Sequence, residues 1–167
     1  MEDPSHEPLN LRLGASAWHI ATQDDYARFI AAFRARTLPK PAWSHPAHLA
    51  AGLWYLDEFP PPEALVRMRG DIRAYNEATG VANTDHAGYH ETLTQLFLRG
   101  VQTHRRAHAG APLLEVLRRL LRTPLARSDW PLRFYSKPHL MSVQARHHWV
   151  EPDLPAGAPA DLGQGWA

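Results

Sequence analysis

Proline sets the limits within which this chain can fold. Seven of its 15 prolines stand at Pro39 and Pro41, at Pro46, at Pro60, Pro61 and Pro62, and at Pro112, and apolar residues recur at helical spacing between those points. Inside a helix, proline deletes a backbone hydrogen bond and clashes with the preceding turn. In the first turn its missing N–H leaves no bond unmade. Each cluster therefore closes one helix or opens the next.

The spacing between these marks predicts five helices. Thr22 with Asp25 reads as a capping box, followed by Tyr26, Phe29, Ile30 and Phe33, with the helix stopping before Leu38-Pro39. A second helix runs from about Ser44 to Glu58, with Ser44 as cap and Pro46 in the first turn. The third opens on Pro60 to Pro62, carries Leu65, Met68, Ile72 and Tyr75 on one face, and closes at Gly80. After the polar loop 81–85, a fourth runs from roughly Ala87 to Ala107 through Leu93, Leu96, Phe97 and Val101; the fifth spans Pro112 to Arg122. Residues 1–21 read as an irregular arm, 22–150 as the helical domain, and 151–167 as a Pro/Gly-rich tail. Strand-like alternation persists nowhere. Short connections between such helices predict an all-α, single-domain antiparallel bundle.

Composition narrows the chemistry. The chain has 167 residues, enough for one domain with a sizeable core, and a formal charge of +1. That balance gives no electrostatic case for a nucleic-acid partner. Cysteine is absent, so disulfides, thiolate metal sites and cysteine nucleophiles are excluded together. The longest apolar run, Leu49 to Leu56, is too short to span a bilayer, so no membrane partner is expected. The acidic, polar N-terminus is unlike a secretory signal, and a cytoplasmic location is the expectation.

Two histidine-bearing stretches then stand out: Trp43-Ser44-His45-Pro46-Ala47-His48-Leu49, and Asp85-His86-Ala87-Gly88-Tyr89-His90-Glu91-Thr92. On a helix beginning at Ser44, His45 and His48 lie one turn apart on one side. The positive end of the helix dipole disfavours imidazolium there and favours the neutral form that metals bind. His90, on the fourth helix, supplies a third nitrogen from across the bundle. With thiolates excluded, these three histidines are the expected ligands of a divalent transition metal, Zn, Fe, Ni or Cu. Glu91 points about 100° away from His90 on a helix and is a candidate general base beside Tyr89; Asn83, Thr84 and Arg146 are candidate substrate contacts. Simpler roles compete with each of these. His45 can cap its own helix, His48 and His90 can be hydrogen-bonded core residues, Asn83, Thr84 and Asp85 are common loop formers, and Arg146 can anchor the tail. His86 joins the site only if the fourth helix already runs at that point, and Gly88 argues against it.

These two stretches, together with Thr37-Leu38-Pro39-Lys40 and Trp149-Val150-Glu151-Pro152-Asp153-Leu154, resemble those of a family of small, uncharacterised bacterial helical proteins. The likeness runs from about Phe29 to Leu154 and implies a single bacterial domain with no activity attached. A more distant likeness is to DinB-type four-helix bundles, which hold a metal with three histidines, although His45 and His48 depart from the H-x-x-x-H spacing of that group.

Two functions follow. One is a small metal-dependent enzyme acting on a small molecule, hydrolytic or eliminative with zinc and oxidative with iron or copper. The other is a non-catalytic helical module whose histidines are structural or sense pH. Metal-free acid–base chemistry through the same imidazoles lies between them.

Overall fold

In a computed structural model, which describes residues 7–156 and Trp166, the chain is a helical bundle with one very short β-hairpin. The parts of the arm and tail at residues 1–6, 157–165 and 167 lie outside the described residues.

The arm is more ordered than its composition suggests. Strands β1 (Leu11–Arg12) and β2 (His19–Ile20) pair antiparallel, Leu11 opposite Ile20. Two residues per strand are too few for alternation to register in the sequence. Leu13 and Ile20 are fully buried, so the arm is part of the core. Gly14 (φ +57°) makes its closest approach to the next connector: a Cβ here would lie 2.1 Å from the Pro41 carbonyl oxygen.

Helix α1 (Gln23–Arg34) begins at the Thr22 capping box, with Asp25 accepting from the backbone N–H groups of Ala21 and Thr22. The Ala21 N–H, with Arg28 and Thr22 adding to it against the effect of burial, holds the Asp25 carboxyl down at about 2. A 3₁₀ turn at Lys40–Ala42 leads to α2 (His45–Glu58), whose first turn is capped by Ser44 as expected. Helix α2 is the centre of the molecule, with eight of its residues buried, and it packs on both α3 and α4. The break at Phe59-Pro60 turns α3 (Pro61–Ala78) back against it.

The fourth helix starts later than expected. α4 spans Glu91–Ala107, and the residues from Ala87 to Tyr89 belong to the preceding loop. Gly88 adopts φ +78°, where a Cβ would meet the Ala82 carbonyl oxygen at 2.5 Å and Asn83 Oδ1 at 2.7 Å. Only glycine fits that turn, and a left-handed residue cannot continue a helix. Near the far end of α4, His104 reaches across to the Val116 carbonyl of α5 (Leu113–Leu120).

Beyond α5 the chain makes two 3₁₀ turns, Pro124–Ala126 and Trp130–Arg133, and two short helices, α6 (Lys137–Leu140) and α7 (Val143–His147). Ser136 and Ser142 cap them. Among the described residues, seven α-helices therefore stand where five are expected. The segment after α7 is tied to the body. Thr92 Oγ1 donates to the His148 carbonyl at 2.7 Å and accepts from the Val150 N–H, and the Tyr135 hydroxyl donates to the Val150 carbonyl. No helix among the described residues is long and apolar enough to cross a membrane.

Candidate functional site

A cavity of about 490 Å³ opens between α2, α3, α4 and the loop that precedes α4. His45, His48 and His90 all line it, so the two histidine stretches do meet across the bundle. Most of the remaining wall is apolar, built from Trp43, Leu49, Met68, Ile72, Phe97 and Leu98 among others. Asn76, Thr94 and Ser128 add polar atoms, and none of the described lining residues is Asp, Glu, Lys or Arg.

The three imidazoles differ in what they have left to offer. His45, the first residue of α2, donates from Nε2 to the Leu125 carbonyl at 2.9 Å and sets its ring edge-on to Phe97. His48, one turn on, donates from Nδ1 to the Ser44 carbonyl at 2.7 Å and lies against Trp43, with ring centroids 3.9 Å apart. Burial pushes the His48 pKa down to about 4, the Ser44 carbonyl opposing and His45 reinforcing the shift. The ring is therefore neutral at pH 7, with its proton on Nδ1 and a lone pair on Nε2. Among the described residues, neither His45 Nδ1 nor His48 Nε2 has a hydrogen-bond partner.

His90 has no such nitrogen to spare. It is the N-cap of α4: Nδ1 accepts from the Leu93 N–H at 3.2 Å, and Nε2 donates to the Leu140 carbonyl at 2.8 Å. Burial is again the largest influence on its pKa and lowers it, which favours the neutral ring that both bonds require. A metal needs a free lone pair from each imidazole, and the one on His90 is already spent on the helix cap. Among the described residues, no three His, Asp or Glu side chains form a group able to hold a metal ion. The expected His45–His48–His90 ligand set therefore does not fit: the rings converge on one cavity, but the third has a structural task.

Of the candidate catalytic pair, Tyr89 lines this cavity and Glu91 does not. Glu91, the first residue of α4, is only 6% exposed and takes a two-pronged contact from Arg69, with Nε to Oε2 at 2.9 Å and Nη2 to Oε1 at 2.6 Å. It also accepts from the Tyr89 hydroxyl and from Gln95, both at 2.8 Å. Burial pushes its pKa up, but Arg69, Gln95 and Tyr89 together hold it below the ordinary carboxylate value. A low pKa and four donors make Glu91 a poor general base. The Tyr89 phenol, raised well above its usual range by burial and by Glu91, donates to that carboxylate, and Tyr89 is among the residues that line the cavity.

The candidate substrate contacts build the loop. Asn83 Oδ1 accepts from the Tyr89 N–H and from Asn76, and its amide donates to the Arg73 carbonyl and to Glu77. Thr84 Oγ1 accepts from the N–H groups of His86 and Ala87. Neither residue lines the cavity, and neither does His86, which is exposed. Arg146, on α7, donates from Nη1 to the carbonyls of Gly88 (3.1 Å) and Tyr89 (3.2 Å), pinning the loop from outside. Trp43, Asn76, Thr94 and Ser128 were not legible as site residues. Of these, only Trp43 carried a signal, its position two residues before His45.

No family model, curated protein or solved structure matches this chain.

Proposed function

We propose that this protein is a binding module for a small, uncharged, largely apolar molecule, taken into the cavity between α2, α3 and α4 with His48 Nε2 accepting its hydrogen bond. The supporting observation is the combination of ion-free walls with one neutral imidazole, oriented by the Ser44 carbonyl and left with a free acceptor. Moving an unpaired ion from water into such walls costs several kcal/mol, of order 2–7 even for a neutral polar group without a partner. A neutral guest with a single O–H or N–H donor avoids that cost and satisfies His48. The volume is in the usual range for small-molecule sites.

Binding is favoured over catalysis by the same ring. A general base works best with a pKa near the operating pH, and His48 at about 4 takes a proton only weakly at neutrality. A metal-dependent reaction would need a third ligand that His90 does not supply. The histidines thus serve recognition and structure.

Calorimetric titration with phenol, benzyl alcohol, benzoate and benzylammonium tests this reading. Phenol and benzyl alcohol are expected to bind and the two ions not to. Leu93→Trp, which fills the cavity from α4, should abolish binding, and His48→Leu should weaken phenol more than toluene. Equal binding of benzoate, or no binding of either neutral probe, would overturn it.

A further inference from the structure

Behind Tyr89 lies a second, separate depression of about 290 Å³, bounded by α3, the start of α4, and α7 with the residues after it. Its chemistry is the opposite of the first. Three guanidinium groups, Arg69, Arg73 and Arg146, share this wall with one carboxylate, Glu91. Arg69 and Glu91 neutralise each other through their two-pronged contact, which leaves Arg73 and Arg146.

Neither of these is cancelled by an acid. Arg146 spends Nη1 on two backbone carbonyls, which carry no net charge, and its Nε is buried with no partner. Arg73 is exposed; among the described residues its guanidinium makes no hydrogen bond or ion pair, only a contact over the Tyr89 ring at 6.0 Å. Asp85, at the rim, is taken by His147 at 2.7 Å. His148 also lines the cleft.

Two unpaired guanidiniums on one concave wall make a fork suited to a tetrahedral or planar oxyanion, since arginine presents several N–H donors in fixed geometry. We infer that the Arg73–Arg146 cleft is an anion site, built to take a phosphoryl group. The site is distinct from the apolar cavity: among the described residues that line them, the two have only Tyr89 in common.

The test is an NMR titration of the full chain with inorganic phosphate at constant ionic strength, following the arginine Nε–Hε resonances. Saturable shifts at Arg73 and Arg146 are expected. Arg73→Gln should weaken phosphate roughly tenfold, the equivalent of one charge-assisted hydrogen bond. Arg67→Gln, on α3 but paired with Glu63 outside the cleft, should leave it unchanged. Arg146→Lys keeps a charge while losing the fork, and should also weaken binding. Phenyl phosphate in a parallel arm identifies the source: tighter binding of the ester points to a phosphorylated small molecule, equal binding to free phosphate. An absence of saturable shifts, or equal affinity in Arg73→Gln, would overturn the inference.

Discussion

Tyr89 separates two pockets of contrary character. On one side, imidazoles face an apolar cavity with no ionised neighbour; on the other, arginines surround a buried carboxylate. The motif Gly88-Tyr89-His90-Glu91 serves both sides at once. His90 turns inward to cap α4 and hold Leu140, while Glu91 turns outward to Arg69. Consecutive residues at a helix start point in different directions, so a cluster of titratable groups in sequence becomes two unlike environments in space. Charge is kept on the side where it is paired or can be hydrated, and the described residues that line the apolar side include no Asp, Glu, Lys or Arg.

That division can be broken most severely at Arg69. Arg69→Met leaves the Glu91 carboxylate buried without its cation, at an expected cost of about 3 kcal/mol by urea denaturation. Adding Glu91→Gln should recover most of the loss, and a double variant as unstable as the single one would mean the charge pair is not what holds this side together. The Glu91 pKa is lowered on folding, so the contribution of the pair is present above the ordinary value of 4.5 and is lost as the pH falls below it.

The apolar side has its own signature. His48 drops from 6.5 to about 4 on folding, so the unfolded chain binds the extra proton first. Stability should therefore be highest above pH 6.5 and fall as the pH drops toward 4, by on the order of 2–3 kcal/mol from this ring. His48→Gln should flatten that window relative to wild type when denaturation midpoints are compared at pH 7 and pH 4.5. His90 and His104 shift the same way, so the difference between the two curves isolates His48.

Smaller effects are expected in the loop between the pockets. Gly88→Ala forces a side chain into φ +78° against a carbonyl and should cost about 2 kcal/mol, readable as a lower thermal midpoint. His90→Ala removes a helix cap, worth about 1 kcal/mol. His90→Asn, which can cap but cannot reach as far, should restore part of that loss.

The parts of this fold that were legible in the sequence are those specified by near neighbours. The start of α1 follows from Thr22 and Asp25, the start of α2 from Ser44 and Pro46, and that of α3 from three prolines. The start of α4 was misread because its cap is a histidine, an uncommon cap, and the apolar period of Leu93, Leu96 and Phe97 says nothing about where the helix begins. Helices α6 and α7 are four and five residues long, too short for a period to show. The meeting of His45 and His48 on one cavity was readable from their spacing on one helix. The role of His90 was not, because its partner Leu140 is 50 residues away on one of those hidden helices. Arg69, the partner of Glu91, sits 22 residues back on a different helix, with no local mark to pair them.

The most direct measurement follows the imidazole nitrogens of His48 by ¹⁵N NMR at pH 7, first alone and then with phenol. A neutral ring protonated on Nδ1 is expected, with the Nε2 resonance moving saturably as it accepts the phenol hydroxyl and the His90 nitrogens staying put. A protonated His48 at pH 7, or an Nε2 resonance indifferent to phenol at saturating concentration, would contradict a cavity built around a neutral acceptor.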